Sequence, residues 1–147
     1  NGITFRVLTE EQILSQFWRL AMGYKEFVTF NGRGFDVPFL MIRSAIHKIK
    51  PTKDLMSNRY LSSQSAVAKH IDLCDQLSFY GFGRARESLH LYCHAFGIKS
   101  PKADGITGED VHRLFHEGRY SDIARYNIGD LQATASLYQY WKEYLRF

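Results

Sequence analysis

The apolar residues follow two different spacings along the chain, and these indicate short strands followed by longer helices. Alternating β-branched and aromatic residues predict strands at 3–8, 26–30 and 70–73. Apolar residues three or four positions apart predict helices. The predicted helices cover 9–23, 38–49, 88–96, 108–117 and 121–147. Strands that alternate with helices are typical of a layered α/β domain, here with more helix than strand.

Local residues mark where several of these elements begin and end. Thr9 and Gln12 have the spacing of a capping box, and Pro38 suits the first turn of a helix. Gly97 and Gly118 are placed to end the helices that precede them.

The segments between these elements have weaker patterns. We expect 51–65 to be irregular or mobile, and 77–86, which contains two glycines, to be a broken helix or a loop.

The apolar positions of three helices fall on single faces. In the first helix these are Ile13, Phe17 and Leu20, and in the second they are Phe39, Ile42 and Ile46. The predicted inward face of the last helix carries Ile123, Asp130, Thr134, Leu137 and Trp141. The aromatic residues near the end of that helix mostly follow the same spacing, so we expect them to pack in the core.

Length and composition fit one domain that covers 1–147. No apolar run approaches the ~20 residues of a membrane-spanning helix. The chain starts at Asn1 without Met or a signal-peptide pattern, so we expect an upstream part to be missing from it. Two cysteines are too few for a disulfide scaffold, which favours free thiols and a cytoplasmic location.

The net charge of +4 is unevenly distributed. Between positions 43 and 69 there is one acidic residue against six basic ones. These are Arg43, Lys48, Lys50, Lys53, Arg59 and Lys69. From position 101 onward, seven acidic residues face six basic ones. A basic strip beside an acid-rich segment suits a protein that binds a polyanion and cations together. On charge alone, a solvated lysine-rich loop is the simpler interpretation.

The segment 28–40 has the strongest local pattern. A strand ends, two glycines turn the chain, and Asp36 stands just before a proline-started helix. This order places one carboxylate at the edge of a sheet where ligands bind in α/β folds. Asn31 and Phe35 beside it have side chains that can meet a base. The alternative is that Asp36 serves only as a helix N-cap.

A second pattern lies in the last predicted helix. Tyr126 and Asp130 are four residues apart and therefore share a face. An aspartate on an inward face is costly unless it is paired or binds a cation. The alternative is a buried hydrogen bond between the two side chains.

Three motifs in this order resemble a known family. They are Asn-x-x-x-Phe-Asp-x-Pro-Phe-Leu at 31–40, His-Ile-Asp-Leu-x-Asp at 70–75 and Tyr-x-x-x-Asp at 126–130. Together they are similar to the 3′→5′ exonuclease domain of family-B DNA polymerases, and most of all to its free-standing bacterial relatives. The resemblance implies a ribonuclease-H-like fold, hydrolysis at DNA 3′ ends that are expected to be single-stranded, and two Mg²⁺ or Mn²⁺ ions.

The resemblance also implies roles for particular residues. Asp36 and Asp130 match metal-binding carboxylates, and Tyr126 matches the tyrosine that orients the attacking water. Asn31 and Phe35 match residues near the 3′-terminal nucleotide.

Other residues complete the expected site. The basic residues that we expect to contact nucleic acid are Lys48, Lys50 and Lys53. Asp72 ends the predicted third strand, and we expect it to be a structural residue or to support the metal ligands indirectly.

One motif of the family is absent from this sequence. The first motif, Asp-x-Glu on the first strand, occurs nowhere in the chain. The resemblance places it before Asn1, together with the first two strands of the fold. Because it supplies two of four carboxylates, we expect residues 1–147 alone to bind metal weakly and to lack activity.

Two other functions remain open. One is a non-catalytic module that binds nucleic acid or another partner on the same fold. The other is a zinc enzyme, because His90 and His94, like His112 and His116, are four residues apart. Coincidence explains these histidine pairs better. We expect no membrane partner. The sequence does not decide whether the substrate is DNA or RNA, or whether the protein proofreads for a polymerase or acts independently. It also leaves open partners in replication or repair and the oligomeric state.

Overall fold

The computed structural model of the chain describes residues 4–82, 87–100, 108 and 110–147. Its helices and strands are α1 Glu10–Ala21, β1 Glu26–Thr29, α2 Asp36–Ile46, β2 Lys69–Asp72, α3 Leu73–Leu77, α4 Leu89–Ala95, α5 Asp110–His116 and α6 Tyr120–Tyr144. This is a helix-rich α/β fold with a small parallel sheet. None of the helices in the described residues combines the length and the apolar character needed to cross a membrane.

The chain forms two compact units, Asn1–Asp72 and Leu73–Phe147. The first unit contains α1, α2 and both strands, and the second contains α3 to α6. Each unit has its own buried side chains, and the two are described in turn.

The sheet of the first unit consists of β1 and β2, which run parallel with Glu26 beside Lys69 and Thr29 beside Asp72. Parallel strands need a crossover connection, which here contains α2. Both strands lie within one residue of their predicted positions. The register brings their carboxyl ends to the same edge of the sheet.

The strand predicted at 3–8 is wrong for the residues that the structure describes. Residues 4–8 are irregular, and Val7 is fully exposed. Ile3 lies outside the described residues. Since strand backbone needs hydrogen-bonded neighbours, the β-branched composition of this segment is not sufficient to make a strand.

The capping box at the start of α1 is confirmed. The Thr9 hydroxyl accepts a hydrogen bond from the Gln12 backbone at 3.3 Å, and the Gln12 side chain accepts one from the Thr9 backbone at 3.0 Å. The buried face of the helix differs from the apolar face in the sequence. Its buried residues are Leu14, Trp18 and Ala21. Ile13 and Leu20 are exposed.

The core of the first unit lies between α1, α2 and the following loop. Trp18, Ala21, Val37 and Leu55 are buried together. The Trp18 indole Nε1 donates to the buried Ser44 hydroxyl at 2.8 Å, so the polar atom of this large side chain is satisfied inside the core.

Helix α2 begins at Asp36, two residues before its predicted start, and ends at Ile46. Pro38 lies in its first turn, as expected. Phe39, Ile42 and Ile46 do share a face, but that face is exposed. The side of the helix that packs inward carries Val37 and Ser44 instead.

The segment 51–65 is irregular as predicted, apart from a 3₁₀ turn at Leu61–Ser63, but its contacts are those of a fixed segment. The Thr52 hydroxyl donates to the Trp18 carbonyl at 2.7 Å, and Leu55 is buried. Long-range contacts of this kind hold an irregular segment in place without regular hydrogen bonds.

In the second unit, α6 packs against α3, α4 and α5. Leu137 and Trp141 are buried on α6, which confirms its predicted inward face at these positions, and Cys93 and Leu114 are buried on its neighbours. Tyr144 and Phe147, however, are exposed, and Tyr140 is partly exposed. The expectation that these aromatic residues pack in the core is therefore wrong for Tyr144 and Phe147.

Two glycines end helices of the second unit as predicted. Gly97 and Gly118 have φ of 65° and 71°, a conformation that glycine adopts without steric cost. The amides of the residues after them, Ile98 and Arg119, donate back to carbonyls in the last turn at 2.8 and 2.9 Å. Both ends are therefore Schellman motifs.

The region predicted as a broken helix or loop at 77–86 contains a short helix end and a 3₁₀ turn at Phe79–Gly81. Phe79 and Tyr80 both have positive φ, of 49° and 59°. Residues 83–86 lie outside the described residues, as do 101–107 and Glu109 near the predicted start of α5. Helix α3 was not predicted, because its five residues are too few to show a helical period.

Candidate nucleic-acid and metal site

A buried carboxylate on β2 fixes the turn that follows β1. Asp72 is only 3% exposed. Its Oδ1 accepts a hydrogen bond from the Asn31 amide at 2.7 Å, and its Oδ2 accepts one from the Arg33 amide at 2.9 Å. Asn31 has φ 59°, a conformation that Asn tolerates better than most residues. Charge-assisted bonds to two backbone amides make Asp72 a structural part of the site.

The turn also requires glycine at position 32. A Cβ there would lie 2.4 Å from the Thr29 Oγ1. Thr29 cannot move away easily, because its hydroxyl is 2.8 Å from the Nε2 of the buried His70. The other ring nitrogen, Nδ1, lies 2.9 Å from the Leu55 carbonyl and must donate to it, so both ring nitrogens of His70 are engaged.

Arg33 connects the turn to the loop 54–58. Its guanidinium donates to the Met56 carbonyl at 3.1 Å and to the Asn58 carbonyl. Its buried Nε has no hydrogen-bond partner among the described residues. In the loop, hydrogen bonds from Met56 and Ser57 lower the pKa of Asp54, with a smaller contribution from the Arg33 charge. Nothing local in the sequence indicates these contacts of Arg33, because its partners are more than twenty residues away.

Asp36 is the first residue of α2 and its carboxylate is exposed. The residue that caps the helix is Phe35, without a side-chain hydrogen bond, so Asp36 does not act as the N-cap. A negative charge in the first turn is nevertheless stabilised by the helix dipole. Asn31, Phe35 and Asp36 all lie within one short turn held by Asp72, and all three are exposed.

The three predicted lysines differ in their surroundings. Lys48 and Lys50 are exposed just beyond the end of α2. Lys53 is half-buried, and its Nζ donates to the Val67 carbonyl at 2.8 Å. An ammonium group has three donors, so this bond leaves two for another ligand. Their contacts with nucleic acid stay a prediction.

The second unit brings Tyr126 and Asp130 together on one face of α6. Both side chains are half-buried. Burial, and to a smaller extent the Asp130 charge, raise the pKa of the Tyr126 phenol. The same two causes, in the same order, raise the pKa of the fully buried Cys93 thiol on α4. The sequence analysis did not connect Cys93 with this face, because α4 and α6 meet only through folding.

The carboxylates of the candidate site are the kind of ligand that a hard divalent cation prefers, but too few of them come together in the described part of the chain to form a complete metal site. Carboxylate oxygens suit Mg²⁺ or Mn²⁺. Among the residues that the structure describes, however, no three His, Cys, Asp or Glu side chains come together as a metal site. Asp36 belongs to the first unit and Asp130 to the second.

The histidine pairs have ordinary contacts. His90 Nδ1 lies 2.6 Å from the Ser100 hydroxyl, and the rings of His112 and His116 meet edge to face at 4.4 Å. Cys74 and Cys93 are both buried and form no disulfide with each other.

Comparison with known proteins bears on this geometry. A family model described as a predicted 3′–5′ exonuclease related to the exonuclease domain of PolB matches residues 3–145. The chain belongs to this family. The match spans both units and includes all the motifs at 31–40, 70–75 and 126–130. No curated protein matches the chain. Membership in this exonuclease family supports, at a coarse level, a nuclease that hydrolyses nucleic acid.

Proposed function

We propose that this chain forms part of a 3′→5′ exonuclease that hydrolyses phosphodiester bonds at DNA 3′ ends, acts on single strands and uses two Mg²⁺ or Mn²⁺ ions. The observation that carries this proposal is the turn 31–36 in a chain of this family. Asp72 holds the turn rigidly by two backbone hydrogen bonds, and the turn exposes a carboxylate and an aromatic ring side by side. Preorganised groups of this kind are what catalytic sites require.

The fold assignment is part of the proposal. A ribonuclease-H-like sheet would contain the parallel pair β1 and β2 with its helical crossover, and that pair is consistent with such a sheet. A location in a reducing cytoplasm is also proposed, because the chain has only two cysteines and they form no disulfide with each other.

Each candidate residue has a role that its surroundings allow. Asp36 and Asp130 would hold the metal ions, which when bound would activate water and offset the charge on the leaving oxygen. Tyr126 keeps its proton at neutral pH, because its pKa is raised. It would therefore orient water through its hydroxyl rather than act as a base. Asn31 and Phe35 would contact the terminal nucleotide.

The test is hydrolysis of a 5′-labelled single-stranded DNA oligonucleotide. The assay uses the complete protein, because Asp36 and Asp130 are only two of the four carboxylates that the resemblance implies. Hydrolysis is expected with Mg²⁺ or Mn²⁺ and not with EDTA. Asp36→Asn and Asp130→Asn should each lower the rate by about a hundredfold or more, as loss of a group that stabilises transition-state charge does.

Asp122→Asn is the matched control for Asp130→Asn. Asp122 lies on the same helix but pairs with Arg119 at 2.7 Å, so its loss should leave the rate nearly unchanged. Hydrolysis that persists in EDTA, or that survives both Asp36→Asn and Asp130→Asn, would contradict the proposal.

A second set of variants separates the enzyme from a non-catalytic binding module. For a module, Lys48→Glu together with Lys50→Glu should abolish binding of DNA, whereas Asp36→Ala should not change it, and no metal should give hydrolysis. An enzyme shows metal-dependent turnover that Asp36 controls.

A further inference from the structure

An exposed apolar row runs along α2, on the side opposite its core face. Its side chains are Phe35, Phe39, Ile42 and Ile46, which are 67%, 58%, 63% and 59% exposed. Spacings of four, three and four residues put them in one line along the helix. A continuous apolar row of this kind on a surface indicates a binding site.

The first two members of the row form an aromatic pair. The rings of Phe35 and Phe39 are nearly parallel, at 12°, with centroids 6.3 Å apart. Since both side chains are more than half exposed, the pair offers flat apolar surface to a ligand. Nucleic-acid bases stack on such rings whatever their sequence.

The charge around the row fits a polyanion. From position 35 to 53 the sequence carries one acidic residue, Asp36, against the four basic residues Arg43, Lys48, Lys50 and Lys53. The Arg43 guanidinium is engaged with Glu10, so its charge is already compensated. Lys48 and Lys50 are exposed beyond the last turn of the same helix. Phe39 and Ile46, the last residue of the helix, are about 10 Å apart along the helix axis, from a rise of ~1.5 Å per residue, and Lys48 follows two residues later.

The backbone conformation of Lys48 is a further argument for a functional role of this residue. Lys48 has φ 57°, and the Ile49 amide donates to the Ser44 carbonyl at 2.8 Å, so Lys48 occupies the position in a Schellman motif where glycine is usual. This conformation is sterically unfavourable for residues other than glycine. The presence of lysine at a position that favours glycine supports a function for its ammonium group.

We propose that Phe39 is a second base-stacking residue, and that a single strand of nucleic acid runs along α2 from Phe35 past Phe39 to Lys48 and Lys50. This inference rests on the proposed function, because it starts from the nucleotide that Phe35 would contact. A duplex does not fit the surface, because its bases are already stacked within the helix.

Binding in EDTA tests the proposal without hydrolysis. Fluorescence anisotropy of a labelled single-stranded oligo(dT) is measured with the complete protein. Phe39→Ala should raise Kd by about tenfold, the effect of losing one stacked base, and Phe39→Trp should restore binding. Lys48→Glu with Lys50→Glu should weaken binding and reduce its dependence on salt.

Phe115→Ala is the matched control. Phe115 is also 58% exposed and lies on a helix of the second unit, so its loss should leave Kd unchanged. Thermal unfolding of each variant checks that the fold is intact. The proposal is overturned if Phe39→Ala binds as tightly as the unaltered protein, or if Phe115→Ala weakens binding equally. It is also overturned if Phe39→Ala changes the oligomeric state in sedimentation instead, which would make the row a contact between copies.

The two proposals can fail separately. Loss of binding in Phe39→Ala without any metal-dependent hydrolysis would support the single-strand path and contradict the enzyme. Metal-dependent hydrolysis with unchanged binding in Phe39→Ala would support the enzyme and contradict the single-strand path.

Discussion

In the first unit, several polar side chains join residues that are far apart in sequence, whereas the ion pairs among the described residues of the second unit join residues at most four positions apart. Asp72 binds the turn at Asn31 across 41 residues, and Trp18 donates to Ser44 across 26. In the second unit, Arg113 pairs with Asp110 and Glu117, which are three and four residues away.

The difference also concerns burial. Asp72 and Ser44 are buried, so a lost partner would leave a polar group without water. The Arg113 pairs are largely exposed, and exposed pairs of this kind contribute little. The candidate turn therefore depends on a few buried contacts, and each of them should be sensitive to substitution.

The largest effect is expected for Asp72→Ala. The substitution removes both bonds that hold the turn and leaves the Asn31 and Arg33 amides without their acceptor. We expect a loss of about 3 kcal/mol in the free energy of unfolding. Chemical denaturation measures it.

Asp54→Ala provides the control for this experiment. Asp54 also accepts from two backbone amides, those of Met56 and Ser57, but it is exposed. Water can replace it, so its loss should cost about 1 kcal/mol. Equal losses in the two variants would show that burial does not distinguish these contacts.

Ser44→Ala should give the next largest effect. It leaves the indole N–H of Trp18 buried without its acceptor, at a cost of about 2 kcal/mol. Denaturation followed by Trp fluorescence measures this, and Ser136→Ala, at an exposed position of α6, is the control. A neutral Ser44→Ala would mean that the indole finds another acceptor.

The difference between local and long-range contacts explains what the sequence could predict of the fold. The capping box at Thr9 and the helix ends at Gly97 and Gly118 were predicted because the residues that make them are adjacent. The two strands were found within a residue for the same reason. Their pairing, and the contact between Asp72 and the turn, depend on residues about forty positions apart, which local pattern cannot connect.

The same distinction between local and long-range contacts applies to the candidate site. The order of strand, turn and proline placed Asp36 at the start of a helix, and the spacing of Tyr126 and Asp130 put them on one face. The sequence left Asp72 between a structural and an indirect role, and its two backbone bonds favour the structural one. The sequence pattern did not identify the exposed side of α2 as a binding surface, because an apolar row has the same spacing whether it faces a core or a ligand.

Substitutions at two helix ends should have smaller effects on stability, and these effects should be opposite in sign in the two units. Gly118→Ala should destabilise the protein by about 1 kcal/mol, because alanine must adopt φ near 71°. Lys48→Gly should stabilise it by about 1 kcal/mol for the same reason. Thermal unfolding measures both. If Lys48→Gly were destabilising, the lysine side chain would have a stabilising contact that outweighs the backbone strain.

The smallest effect concerns the ion pairs at the surface of the first unit. Hydrogen bonds from Arg43, and then from His47, lower the pKa of Glu10 from its ordinary 4.5 to about 2. Because the folded-state pKa is the lower one, the contribution of Glu10 to stability is complete above pH 4.5. It is lost progressively as the pH falls from about 4.5 to about 2.

Glu10→Gln should therefore unfold at the same temperature as the unaltered protein near pH 2 and at a lower temperature at pH 6. Glu117→Gln, which removes a local pair with Arg113, is the comparison in the second unit. A difference between the unaltered protein and Glu10→Gln that does not change with pH would show that the carboxylate contributes by packing and not by its charge. The contacts of Glu10, which join α1 to α2 across 33 and 37 residues, would then resemble the uncharged Trp18–Ser44 contact.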